Sequence, residues 1–214
     1  MEHISRRASL VLLGMTPLAA AAAAQEAAKP ARRTRYTPSG PRPSMREIYR
    51  DRYFPNVTVD THDGQRVKFY DDLIKDKKVL LNFFYAECEG ICPTVTANLV
   101  RLQRELGDRV GKDIFMYSLT LQPQHDTPKV LREYAEMHGI RPGWRLVTGA
   151  PADLELLRRS LGFVDPDPEL DRKKDTHLGN LRYGNEPRQI WGACNPFGDL
   201  EVMMRAVRSI DRPS

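Results

Sequence analysis

The six residues Val79-Leu80-Leu81-Asn82-Phe83-Phe84, bracketed by Lys77-Lys78 and Glu87, constrain the fold more than any other part of the 214-residue chain. The run is short for a buried helix and lacks the apolar-polar alternation of a half-exposed strand, so both of its faces must be covered. That predicts a central strand in a layered sheet. Helical spacing follows it: Val95, Leu99, Leu102 and Leu106 recur after Pro93, and Gly107 stops them. Residues 114–121 then read as a strand. A helix over 126–138 is capped at Asp126-Thr127, with Pro128 in its first turn. A strand over 144–147 and a helix over 152–161, ended by Gly162, come next. After the loop Asp165-Pro166-Asp167-Pro168, strands are expected around 180–183 and 189–194. The turn Asn195-Pro196-Phe197-Gly198 leads to a last helix over 200–210. Upstream, 57–59 and 67–69 flank the turn Asp63-Gly64 as a β-hairpin. Alternating strands and helices imply an α/β three-layer sandwich, here carrying an N-terminal hairpin extension.

The chemistry concentrates where the central strand ends, in Cys88-Glu89-Gly90-Ile91-Cys92-Pro93. Ligand sites of open α/β sheets form at that edge. Spacing of four places both sulfurs on one side of a helical turn, and the free N–H groups and dipole of the following helix favour thiolate. Two such thiols suit a dithiol/disulfide couple or a soft or borderline metal, copper or zinc; as plain small residues they would simply fill core. A metal would call for an imidazole as well. His3 lies in the N-terminal segment, His62 in the predicted hairpin turn as a solvated residue, and His138 at a helix end as a charge complement. His125 and His177 remain, and His177, at a loop-to-strand junction in Asp175-Thr176-His177-Leu178, is the better placed. Cys194, near the end of a predicted strand, reads as a buried apolar residue; as a resolving thiol it would favour redox chemistry.

Residues 1–24 read as a signal peptide. Arg6-Arg7 precedes a moderately apolar stretch that ends in alanines, with Ala22 and Ala24 fitting a small-residue cleavage site before Gln25. This twin-arginine pattern predicts Tat export to the periplasm, the alternative being an uncleaved membrane anchor. Residues 25–50 carry seven basic and two acidic side chains among Pro30, Pro38, Pro41 and Pro43, and read as a basic, flexible linker. Such an arm permits proximity to an anionic membrane surface. The first fifty residues sum to +6 and 51–214, the folded domain, to −1, which together give the formal +5; the domain carries no basic excess and no nucleic-acid partner is expected.

From about residue 54 to residue 210 the sequence resembles the SCO/SenC family, thioredoxin-like copper chaperones of cytochrome c oxidase assembly. The matching pieces are Cys88-x-x-x-Cys92-Pro93 after the apolar strand, Asp126-Thr127-Pro128-Lys129-Val130-Leu131, Leu146-Val147-Thr148-Gly149, Asp175-Thr176-His177, and Asn195-Pro196-Phe197-Gly198-Asp199-Leu200. Glu89 and Gly90 stand where the family usually has Pro and Asp, and Thr176 separates Asp175 from His177. The resemblance implies a thioredoxin-like fold and one copper ion, Cu(I) or Cu(II), held by Cys88, Cys92 and His177. It implies a partner that receives copper, a cytochrome c oxidase subunit or another exported copper or thiol protein, whose thiols the same Cys88/Cys92 redox pair would keep reduced. The alternative is a thiol-disulfide oxidoreductase that uses the pair with no required metal.

Overall fold

The computed structural model describes residues 42–88, 90, 92–173 and 180–211. The signal-peptide expectation for 1–24 and most of the linker lie outside them. The end of the expected linker is not extended chain: helix α1 spans Met45–Tyr53. Ser44 caps it in a reciprocal capping box, its backbone N–H donating to Glu47 Oε2 at 2.7 Å while Glu47 N–H donates to Ser44 Oγ at 3.3 Å. Arg46 fastens the helix to the domain through Glu186, at 2.7 and 2.6 Å, and Asp76, at 2.6 Å. The proline-rich composition stops at Pro43, one residue before the cap, which is why the segment changes character there.

Seven strands form one sheet among the described residues, in the order β2-β1-β5-β4-β3-β6-β7. They are β1 Thr58–Thr61, β2 Arg66–Lys68, β3 Lys78–Phe84, β4 Ile114–Thr120, β5 Trp144–Gly149, β6 Leu181–Asn185 and β7 Ile190–Cys194. The apolar run becomes β3, parallel to β4 on one side and antiparallel to β6 on the other. The expected hairpin forms from β1 and β2 and joins the same sheet, β1 pairing antiparallel with β5 through Val59 and Gly149. Its second arm ends sooner than expected. Phe69 opens a π-helical turn, Phe69–Ile74, that buries Phe69, Tyr70, Leu73 and Ile74.

Helices α2 (Cys92–Leu106), α3 (Pro128–His138) and α6 (Leu200–Arg208) cover one face, packing Leu99, Leu131 and Val207 on Leu80 and Met116. The π-helical turn and α4 (Pro151–Ser160) cover the other, where Leu73, Leu154 and Leu157 meet Leu81, Phe83 and Leu119. This is the expected three-layer α/β sandwich. A one-turn helix, α5 (Pro168–Asp171), lies within the Pro-Asp loop and is capped by Asp167. On the outer hairpin the aromatic rings lie on glycines. A Cβ on Gly184 would fall 2.0 Å from the Trp191 ring, and one on Gly192 would fall 2.5 Å from Tyr183, so only glycine fits either position.

His62 is half-buried, not solvated. It continues β1 alongside β5, donating its backbone N–H to Leu146 O at 2.9 Å while its Nδ1 accepts the Leu146 N–H at 3.1 Å. Burial pulls its pKa below the ordinary 6.5, with Arg132 and Arg145 acting the same way and Asp63 opposing. A depressed folded-state value means that the neutral ring stabilises the fold fully above pH ~6.5, and that this contribution is lost as pH falls below it. Urea midpoints measured from pH 7.5 down to 5 are expected to fall further for the wild type than for His62→Asn, whose amide oxygen still accepts from Leu146. Parallel curves would show that His62 does not titrate against folding.

Candidate metal centre

Parallel pairing brings the C-terminal ends of β3 and β4, Phe84 and Thr120, to the same edge of the sheet. The chain leaving β3 carries Cys88 in its loop, and Cys92 is the first residue of α2, one position earlier than the sequence pattern placed the helix. Pro93 in the first turn has no N–H to leave unpaired. Both thiols are buried, Cys88 7% and Cys92 2% exposed, and neither is in a disulfide.

Their environments differ. Burial acts to raise the Cys88 pKa, but it is outweighed by hydrogen bonds from the Cys92 thiol, the Tyr85 hydroxyl and the backbone N–H groups of Cys92 and Gly90, so Cys88 lies below the ordinary thiol value. Cys92 is pushed up to about 12 by burial and then by its hydrogen bond to Cys88, with only the Tyr85 backbone opposing. Asp126 reinforces this asymmetry. Its carboxyl is 1% exposed, takes a hydrogen bond from the Thr120 hydroxyl and another from the Ala86 N–H at 3.2 Å, and is held above the usual carboxylate range by burial. Its negative charge, like that of a Cys88 thiolate, disfavours a second anion at Cys92. Of the two, Cys88 is therefore the more readily ionised and Cys92 the more firmly protonated, so Cys92 gives up its proton only when a bound metal or an exchange step compensates the second sulfur anion.

Two contributors were not read from the sequence. Tyr85 is the residue that follows β3, and its ring position carries no spacing signal. Asp126 was read as part of a helix cap, whereas the cap proper is Thr127, whose Oγ1 accepts the Val130 N–H at 3.4 Å. Asp126 instead turns inward under the cysteine loop.

The histidines separate clearly. His125 is exposed in the turn before α3, and His138, at the end of α3, stacks on Tyr134 with centroids 4.1 Å apart while burial lowers its pKa. His177 lies outside the described residues. The described chain resumes at Asn180, and Arg182 of β6 pairs with Leu81, so β6 starts beside the C-terminal half of β3, on the side of the sheet edge that carries the cysteines. Cys194 pairs with Leu181 at the same end. It is half-buried, with its pKa pushed up to about 11 by burial. Among the described residues no group of three His, Cys, Asp or Glu is placed to hold a metal ion, and no helix is long and apolar enough to cross a membrane. A pair of soft sulfur donors fits copper or zinc better than a hard cation.

Comparison with known proteins gives a consistent result. The family model described as SCO1/SenC matches residues 51–180. A Stutzerimonas stutzeri protein named for copper binding is 28% identical over 164 residues, covering 76% of this chain and 74% of that one. The solved structure of BsSco, described as a member of the Sco family of cytochrome c oxidase assembly proteins with a disulfide switch, superposes with a TM-score of 0.58 at 23% identity, over 72% of this chain and 90% of that one. Yeast Sco1 with copper bound gives 0.57 at 18% identity, over 73% and 91%. Likeness at these identities establishes the thioredoxin-like fold.

Proposed function

Because the chain belongs to the SCO1/SenC family, we propose that it is an exported metallochaperone that binds one copper ion through Cys88, Cys92 and His177 and passes it to a copper site of cytochrome c oxidase. The observation that carries this reading is the contact of two buried sulfurs at the strand-to-helix edge, one of them stabilised as thiolate by Tyr85 and by backbone N–H groups. The start of β6 at that edge supports His177 as the third ligand. Copper is cargo here, so release matters as much as affinity. A site of two thiolates and one imidazole on a loop is open to ligand exchange with soft donors of the partner. Export by the Arg6-Arg7 signal, with the basic arm near the membrane surface, belongs to the same proposal and is supported by the sequence pattern alone.

A second reading, thiol-disulfide exchange, is favoured by the sulfur–sulfur contact itself. The Cys88 thiolate attacks a partner disulfide and expels one partner thiolate; Cys92, giving up its proton, then attacks Cys88 and expels the other. The products are a Cys88–Cys92 disulfide and two partner thiols, a balanced two-electron exchange. The two readings are compatible in one molecule. Titration of the reduced protein with Cu(I) and Cu(II) is expected to reach one equivalent, with sulfur-to-copper charge-transfer absorption in the Cu(II) form. His177→Ala is expected to weaken copper binding at least about tenfold, a loss of ~1.4 kcal/mol, and to leave dithiol exchange largely intact. Unchanged copper affinity in that variant would remove His177 from the site.

A further inference from the structure

At the sheet edge opposite the cysteines, the chain entering β3, β4 and β5 surrounds a pocket of about 330 Å³. That is the lower end of the ~300–1,000 Å³ typical of small-molecule sites. The parallel register of β4 and β5 sets Tyr117 beside Arg145, and Phe115, two residues before Tyr117, points to the same face. Asp72 of the π-helical turn and Lys77, just ahead of β3, close one side. On the other, Gly143 lies so near Gly111 that a Cβ on it would fall 2.4 Å from the Gly111 nitrogen, which packs the two loops into one wall.

Tyr117 is the most telling of these residues. It is 2% exposed, and its hydroxyl makes no hydrogen bond among the described residues; nor is that hydroxyl one of the sealed, unsatisfied atoms, which are Arg182 Nε, Gln189 Oε1 and Trp191 Nε1. The hydroxyl therefore keeps accessible surface, and the pocket is what it opens into. Burial holds its pKa well above the usual phenol range, so it stays a proton donor. A buried polar group with no partner in the protein normally has one of another kind. Around it three cations, Lys77, Lys112 and Arg145, stand against one carboxylate, Asp72, which already accepts the Lys68 N–H at 2.6 Å. Arg145 meets Asp63 through Nε at 3.2 Å. Lys77 is half-buried, donates to the Asp72 carbonyl at 2.5 Å and stands 5.7 Å from the centroid of the Phe115 ring. Burial lowers its pKa, Arg145 acts the same way, and Asp72 and Asp76 oppose without cancelling them.

We propose that this pocket binds a phosphate group, free or on a small phosphorylated molecule, which accepts a hydrogen bond from the Tyr117 hydroxyl and takes its counter-charges from Lys77 and Arg145. A doubly charged oxyanion fits better than a carboxylate, because three cations against one carboxylate leave two positive charges in excess. Phe115 offers an apolar wall to an organic body. The site is independent of the copper reading, because it lies at the other edge of the sheet and none of its residues is in the cysteine loop or in α2.

Inorganic phosphate and phenyl phosphate are the two probes, titrated into the whole reduced chain near neutral pH against chloride of equal ionic strength. Followed by the backbone amide resonances of Tyr117 and Gly143, saturable shifts are expected with a Kd in the ~1 mM range or tighter. Tighter binding of phenyl phosphate marks an organic phosphate as the ligand; affinity equal to or weaker than that of inorganic phosphate marks the free ion. Tyr117→Phe removes one oxygen that has no partner in the protein, so it should fold with unchanged stability and bind phosphate at least about tenfold more weakly. Lys77→Met, which keeps the aliphatic stem, is expected to weaken binding in the same direction. Copper stoichiometry should not change in either variant. No saturable shift by either probe up to ~10 mM, or unchanged phosphate affinity in Tyr117→Phe, overturns the proposal. The wild-type titration decides the matter even where Lys77→Met does not fold.

Discussion

Cys88→Ser and Cys92→Ser are each expected to weaken Cu(I) binding by far more than 100-fold, whereas Cys194→Ser is expected to leave it unchanged. The magnitude follows from ligand chemistry. Changing a group that merely orients a metal ligand costs about 10–100-fold in affinity, and removal of a ligand that donates soft sulfur electron density must exceed that. The two serine variants differ in their side effects. Cys92 is 2% exposed at the start of α2, so a serine there buries a hydroxyl and adds a stability loss of ~1–3 kcal/mol if no acceptor is reached. Cys88 is freer and already surrounded by donors, so its serine variant should fold normally. Cys194 is the demanding control. It lies at the same end of the sheet, opposite Leu181, and its thiol is held protonated by burial. Competition against a chelator of known Cu(I) affinity gives all three values. Stoichiometric copper retained by either Cys88→Ser or Cys92→Ser, or lost in Cys194→Ser, would show that the sulfur pair identified here is not the binding pair.

Much of this arrangement could be read before the fold was known, and the parts that could not share a cause. β3 was legible because six nearly unbroken apolar residues leave one way to bury both faces. α3 was legible because Thr127 and Pro128 act locally. The cysteine pair was legible because its spacing and its position ahead of a proline are both local facts. The misreadings involve contacts across the chain. Ser44 and Glu47 spell a capping box, yet α1 stands in place because Arg46 reaches Glu186, 140 residues away. The solvated reading of His62 failed because β1 docks on β5, which gives its ring an N–H to accept. Tyr85 and Asp126 act on the cysteines only once the loops after β3 and β4 lie together.

The largest stability effect is expected at Arg158, on α4. Its side chain is 6% exposed, and its hydrogen bonds include Nη1 to Phe163 O at 2.7 Å and to Asp171 Oδ1 at 2.8 Å, Nη2 to Asp171 Oδ2 at 2.9 Å and to Glu155 Oε1 at 2.9 Å, and Nε to Glu155 Oε2 at 2.8 Å. Glu155 is 45% exposed, so that pair is screened and contributes little. Asp171 is 12% exposed and also accepts the Asp165 N–H at 2.9 Å, so one guanidinium holds α4, the chain after it and α5 together. Arg158→Met fills much of the same space without the charge and strips both of these bonds from the largely buried Asp171 carboxylate, which keeps the exposed Arg159 at 3.6 Å and the Asp165 N–H. Breaking such a pair from one side costs about 3–5 kcal/mol. At the lower figure, for a domain of this size, Tm falls by roughly 6–12 °C. The double variant Arg158→Met/Asp171→Leu is expected to recover part of the loss, since much of the penalty lies in a carboxylate that has lost its main counter-ion and not in the missing attraction. α5 is the last described element before residues 174–179, so the proposal that His177 is a copper ligand gives this anchor a second consequence. With His177 as third ligand, Arg158→Met should weaken copper binding at a temperature where the protein is still folded, and dithiol exchange should be spared. A Tm change below about 2 °C, or a double variant no more stable than the single one, would mean that this buried pair does not hold the loop that leads to His177.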